Sequence, residues 1–484
     1  MDFVTSEYYL YFLPAVVAMV FLLRRSRRDF QILVMLFMSY LFFWLASGWH
    51  IILLLFSTVL DWNAGKNIHK SDDKNVRKRW LLFSLSANLG LLATFKYLDF
   101  FIESLNFISS NTIKASEIGT LGILLPVGIS FYTFQTMSYT IDIYRGKNKP
   151  YENFFDFACY AAFFPQLVAG PIVRSQHFLE QIQGEIKTNP YRFRLGLTLI
   201  FYGLMKKFLI ADNVALHVNS IFVEGSPLDN ILLVWWGSLC FGIQIYCDFS
   251  AYTDIAIGSG HLMGIELPEN FRTPYAAKSP QDFWRRWHIS LSTWLRDYLY
   301  IPLGGSRGGT YVLITAIMGT MLLGGLWHGA SWNFVLWGFI HGLLLLVHRY
   351  LSNTSMMKLT FLKAPRVMFT LGYLVTQFFV FMTWLIFRVE DTAILWPSLK
   401  AYIGIEAVWD VDEFLTALPD IQLLTFAIVI FFIIGHFVSG AMGGFKFWIA
   451  KQNSISWGLI CGIMLSMAFL FKPAVTIEFI YFRF

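Results

Sequence analysis

His328 lies in the stretch "MLLGGLWHGASWNFVLWGFIHG" (321–342), and no charged residue occurs from Tyr311 to Trp327. An imidazole at the end of such an apolar run sits at or near membrane depth. Ionisable groups are costly there and by default mark a functional pathway. A neutral histidine takes a proton from a hydroxyl at physiological pH and returns it to a leaving group, so the residue type points to general-base catalysis. The competing reading is a neutral histidine bonded to a backbone carbonyl. Gly319, Gly324, Gly325, Gly329 and Ala330 remove side-chain volume where the helix approaches a neighbour or a substrate. That places the catalytic reading first, with a cavity expected beside the ring. No GxSxG stretch occurs, and "GGSRGG" (304–309) lacks the strand and serine spacing of a nucleophile elbow. Direct transfer with His328 as base is the simpler chemistry. Asn333, just beyond it, is a structural or tunnel-lining polar residue.

A second constellation is "SPQDFWRRWHISLSTWLRDYLYIPLGG" (279–305). Ser279, Pro280 and Asp282 form a helix-start signature. At helical spacing Trp284, Trp287, His288, Leu291, Leu295 and Tyr298 share one face, and Arg285, Arg286, Ser292, Thr293 and Arg296 the other. An interfacial amphipathic helix over 280–300 is predicted. Arg285 and Arg286, flanked by Trp284 and Trp287, are either headgroup anchors or a basic rim for a phosphate-bearing thioester donor. His288 is on the apolar face, where it points into the protein, and reads first as a satisfied core histidine. Asp248 and Asp254 follow an apolar span and need partners, so structural pairing is their default. A metal held by Asp248, Asp254 and His261 matches no ligand spacing, and no metal site is expected.

These residues need a membrane scaffold. Of 484 residues 56% are hydrophobic and only 14% charged, too apolar for a soluble domain, so the chain reads as a polytopic membrane protein that binds no nucleic acid. Apolar runs long enough to cross a bilayer fall at 7–23, 30–46, 49–64, 80–101, 119–143, 195–214, 231–249, 311–328, 331–348, 367–387, 421–440 and 455–471. Basic residues cluster after the first run (Arg24, Arg25, Arg27, Arg28), the third (Lys66 to Arg79) and the fifth (Arg145, Lys147, Lys149), so these loops are predicted cytoplasmic. The acidic loop 389–420 and the loop near Glu224 and Asp229 then face out, as do both termini. The opening "MDFVTSEYY" lacks a basic start, so the first run reads as a retained span. The stretch 154–175 carries Pro165, Gly170 and Pro171 and reads as re-entrant. Cys159, Cys240, Cys247 and Cys461 lie in apolar segments and read as free buried thiols. No repeat or low-complexity segment appears, so residues 1–484 read as one integral membrane domain.

"LLPVGISFYTFQTMSYTIDIYRG", "FFPQLVAGPIVR", "CDFSAYTDIAIG", "NFRTPY", "SPQDFWRRWHISLSTWLRDYLYIPLGG" and "GLWHGASWNFVLWGFIHG" together resemble the membrane-bound O-acyltransferase (MBOAT) family over about residues 30–350. The likeness is to its bacterial branch of alginate O-acetylation, peptidoglycan O-acetyltransferase and teichoic acid D-alanyl transfer proteins. The resemblance implies an all-α polytopic fold, an MBOAT-type helical bundle with a central tunnel and re-entrant and interfacial helices, followed by C-terminal helices at about 367–471. It implies an O-acyltransferase in the bacterial inner membrane that binds no cofactor. Its donor would be acetyl-CoA or a phosphopantetheine-carrier thioester, and its acceptor an exported polysaccharide. A periplasmic SGNH-type accessory transferase is an implied partner. The family's near-invariant histidine falls on His328 and its branch-typical second histidine on His288. The tail "KPAVTIEFIYFRF" resembles the branch's aromatic C-terminus; in the D-alanyl pathway a short motif of this kind relays the acyl group, and in "FIYFRF" only Tyr481 carries a hydroxyl. Two alternatives stand beside acetyl transfer: D-alanyl or longer acyl transfer to teichoic acid, lipid or protein, and a proton-relaying transporter or channel.

Overall fold

The computed structural model describes residues 2–482 except 24, 25, 113–117, 169, 185, 187, 188, 223–228, 354–364, 418–421 and 476. Arg24, Arg25 and Glu224, used above to orient the chain, lie outside the described residues. Helices joined by turns make up the described chain, and no β-strand forms among these residues. Seven helical stretches are long and apolar enough to cross a membrane: Arg28–Lys70, Lys74–Ser109, Ile231–Leu262, Gly309–His328, Trp332–Ser352, Phe369–Arg388 and Leu423–Ala441. Tyr8–Leu22 and Ser454–Leu470 are shorter apolar helices. A helix satisfies its own backbone in lipid, which is why these runs adopt no other form. Phe37, Leu323, Ile434 and Leu459 are exposed along them, as lipid-facing residues must be.

The chain divides into two compact units, Met1–Leu197 with Ile255–Pro268, and Thr198–Asp254 with Glu269–Phe484. In the first, a polar staple ties two neighbouring helices, Ile51–Lys70 and Lys74–Leu92. Fully buried Asp61 accepts from the Ser84 hydroxyl at 2.5 Å and from the Asn88 amide at 3.0 Å, while Ser57 donates to Asn88 at 2.7 Å.

The stretch 154–175 is broken as its prolines require. One helix spans Phe154–Ala162 and a short turn Phe164–Leu167, both almost wholly buried. The break frees the Tyr160 carbonyl, which accepts from the side-chain amides of Gln135 at 2.7 Å and Gln166 at 2.6 Å, while Ser39 Oγ accepts from the Phe164 amide. The freed backbone groups are thus answered by side chains inside the protein.

Two sequence expectations need correction. The fifth apolar run does not form one helix from 119; residues 118–126 have no regular structure, Gly128 turns at φ 74, and the helix is Ile129–Tyr144. Pro126 cannot donate within a helix, and a left-handed residue ends what precedes it. Nor is 280–300 a single helix. Pro280–Trp284 stops, His288 takes φ 40, and the chain resumes as Ile289–Leu295 and a wider turn at Arg296–Tyr300. The buried face survives the break: Trp287, His288, Leu291, Leu295 and Tyr298 are all buried, and Arg285 and Arg296 are exposed.

Candidate active site

The candidate site lies within the second unit. The Gly309–His328 helix ends at His328, the chain turns through extended Gly329, and Trp332–Asn353 returns against it. Glycines set the closeness of that return. A Cβ on Gly325 would meet the Phe334 carbonyl oxygen at 2.2 Å, and one on Gly338 the Met321 carbonyl oxygen at 2.3 Å. The glycine pattern therefore serves helix–helix contact, and the expectation that it opens a cavity at the ring is corrected. His328 is 3% exposed, with Trp337 5.1 Å and Phe387 5.5 Å away between ring centroids. Its Nδ1 lies 3.2 Å from the Tyr481 hydroxyl. A phenol can donate to Nδ1 there when the ring's own proton is on Nε2.

His288 is fully buried, and its left-handed backbone is a conformation that L-residues keep only when their surroundings enforce it. Asn270 supplies the enforcement: its carbonyl accepts from the Ile289 amide at 2.9 Å and its side-chain oxygen from the Ser290 amide at 3.2 Å. The ring stands edge-on to Phe249 at 4.8 Å and packs on Trp327 at 5.8 Å, and Trp327 lies 5.1 Å from His328. Trp327 is thus a neighbour of both histidines. Burial pushes the His288 imidazole down to about 3, so it is uncharged at neutral pH.

The tail closes this group. Phe249 lies 4.4 Å from Tyr481, and Phe479 stacks on Tyr252 at 3.8 Å. Lys207 pairs with Asp248 at 2.9 Å and Asp212 at 2.8 Å; Asp254 pairs with Lys206 at 2.7 Å and Lys446 at 2.9 Å. Both aspartates face lysines, and among the described residues no three His, Cys, Asp or Glu gather as metal ligands. Reading by run-averaged hydropathy missed Lys206 and Lys207, consecutive charges inside the 195–214 run. All four cysteines are buried and free.

The other candidate residues are placed as follows. Trp287 packs on Trp384 at 4.7 Å, and the Asn333 amide donates to the Val389 carbonyl, fastening the turn after His328 to the end of Phe369–Arg388. A cavity of about 420 Å³ is lined by Trp284, Leu295, Arg296, Thr320, Met321 and Arg349 among others. Trp284 connects it toward His328, lying 5.7 Å from Trp337, whose ring is 5.1 Å from the imidazole. Arg285 and Arg286 do not line the cavity; Arg285 is exposed and Arg286 pairs with Asp282 at 2.8 Å.

Residues 151–390 match the profile of the membrane-bound O-acyltransferase family. The chain is similar to a probable alginate O-acetylase of Pseudomonas aeruginosa, 37% identical over 417 residues that cover 85% of this chain and 76% of that one. It is similar also to the peptidoglycan O-acetyltransferase of Helicobacter pylori, 33% identical over 89% of this chain and 87% of that one. A shorter likeness, 33% identical over 36% of this chain and 45% of the other, joins it to a teichoic acid D-alanyltransferase of Bacillus subtilis. With a buried histidine at the end of an apolar helix, a second buried histidine that shares Trp327 as a neighbour, and these relatives along most of its length, the chain belongs to the membrane-bound O-acyltransferase family and is an O-acyltransferase.

Proposed function

We propose that this enzyme transfers an acetyl group from a cytoplasmic thioester, acetyl-CoA or a phosphopantetheine carrier, toward hydroxyls of an exported polysaccharide of the alginate or peptidoglycan kind. It works in the bacterial inner membrane with both termini outside, and a periplasmic SGNH-type transferase completes delivery. The observation that carries the reading is the hydroxyl of Tyr481 at 3.2 Å from His328 Nδ1, the geometry a general base needs. His328 removes the hydroxyl proton as the oxygen attacks the thioester carbonyl. The C–S bond then breaks, the sulfur leaves with the proton that Nδ1 held, and an ester and a thiol result. His288, uncharged beside Trp327, is a neutral hydrogen-bonding group for the reacting carbonyl.

The same contact favours a second, more specific path in which Tyr481 itself is the first acceptor. Its acetyl ester then passes to the partner. In either path the donor enters through the cavity at Trp284, where Arg296 and Arg349 meet its phosphates and Met321 and Leu295 its apolar arm. Arg285 and Arg286 flank this entry as interfacial charges.

His328→Gln tests the base. Glutamine keeps a hydrogen-bonding side chain of similar reach and cannot shuttle a proton, so thiol release from acetyl-CoA should fall by about 10² to 10⁴ with normal yield and monodispersity. Turnover by His328→Gln close to wild type would leave His328 as a buried hydrogen-bond partner only.

A further inference from the structure

The tail is held near His328 by its main chain as well as by its rings. Lys207 Nζ donates to the Ile477 carbonyl at 3.1 Å, and Asp248 Oδ2 accepts from the Ile480 amide at 2.8 Å. The two anchors are themselves joined, Lys207 Nζ to Asp248 Oδ1 at 2.9 Å, and Asp212 takes the third ammonium donor at 2.8 Å. Lys207 has 1% of its side chain exposed and Asp248 2%, so both charges are removed from solvent. Burying such a pair is weak evidence for stability, because apolar residues of similar volume do as well or better. Phe479, stacked on Tyr252 and tilted toward Phe249 at 6.0 Å, already supplies apolar anchorage.

Rings anchor a tail but tolerate sliding; bonds to one carbonyl and one amide fix which residue comes next. The register matters here because Ile480–Phe482 forms a 3-10 turn, in which each residue advances about 2 Å and about a third of a turn. A slip of one position withdraws the Tyr481 hydroxyl from His328 and offers Ile480 or Phe482, neither with a hydroxyl.

We propose that Lys207 and Asp248 are positioning residues for acyl transfer, gripping the main chain at Ile477 and Ile480 so that the register places the Tyr481 hydroxyl on His328. The inference rests on the reading in which Tyr481 accepts the acyl group. Neither residue exchanges a proton or bond with the donor; they act through the tail.

The test uses the full-length enzyme carrying Ile480→Cys, a buried position, against native cysteines that are all buried. Asp248→Asn in this background should raise the rate of maleimide labelling at position 480 about tenfold or more, as the grip on the tail is lost. In the chain with Ile480 intact, Asp248→Asn should lower kcat roughly 10²-fold, the scale of an ångström misplacement, while KM for acetyl-CoA stays put. Asp248→Glu, which keeps the charge, should restore part of both, and it serves as the readable variant if the asparagine form does not fold. Unchanged labelling overturns the proposal whatever kcat does, and so does faster labelling with unchanged kcat. Tyr481→Phe separates the two claims: full transfer by that variant would sink the relay, while labelling at 480 would still report whether Lys207 and Asp248 hold the tail.

Discussion

A hydroxyl hydrogen-bonded to a buried imidazole is placed to lose its proton when an electrophile arrives, so His328 is best understood with Tyr481 and the proposed donor entry together. That view separates the arginines. Arg349 lines the cavity and Arg285 does not, so Arg349→Glu should raise KM for acetyl-CoA roughly tenfold, the worth of one charge-assisted hydrogen bond, with little change in kcat. Arg285→Glu should change KM much less; steady-state kinetics on the two variants checks this, and equal effects would move the entry to the interfacial rim. His328 stood out in the sequence because an ionisable residue interrupts an otherwise uncharged run. Tyr481 stood out only as the tail's one hydroxyl; its contact with His328 did not, since the two are 153 positions apart and no local pattern reports a docked tail. Asp248 and Asp254 announced a need for partners, but Lys206 and Lys207 disappear into the average of a hydrophobic run.

Among the elements, side-chain periodicity was easier to read than backbone continuity. The apolar face from Trp287 to Tyr298 is buried although the helix breaks at His288, because the sequence records which residues face inward and not the left-handed turn that Asn270 enforces. The glycines of the His328 hairpin were legible as close approach, yet whether a helix or a substrate fills the space is decided by Phe334 and Gly338 on the returning helix. The Asp61 staple gives an element-level test. No Lys or Arg is paired with this carboxylate among the described residues, and its contacts are hydroxyls and an amide. Asp61→Asn should therefore be tolerated, whereas Asp61→Leu, which leaves Ser84 and Asn88 without their acceptor, should destabilise by about 1–3 kcal/mol for each orphaned group. Thermal unfolding in detergent measures both; equal losses would show that the negative charge itself matters.

For the whole molecule, composition was enough to reach a polytopic helical protein, and charge placement gives an orientation. The seven long apolar helices fit the first of these. For the second, impermeant labelling of intact cells should modify a cysteine at Asp412 and spare one at Lys74, both exposed positions, and the reverse pattern would invert the assignment. Orientation matters to the proposed mechanism, in which donor and acceptor reach His328 from opposite sides. The proposed transfer converges on the Tyr481 hydroxyl, and mass spectrometry of the tail peptide after a single turnover with acetyl-CoA interrogates it directly. The wild-type enzyme should carry acetyl on Tyr481, and His328→Gln should carry none. Equal acetylation of Tyr481 in both proteins would contradict the claim that His328 activates it.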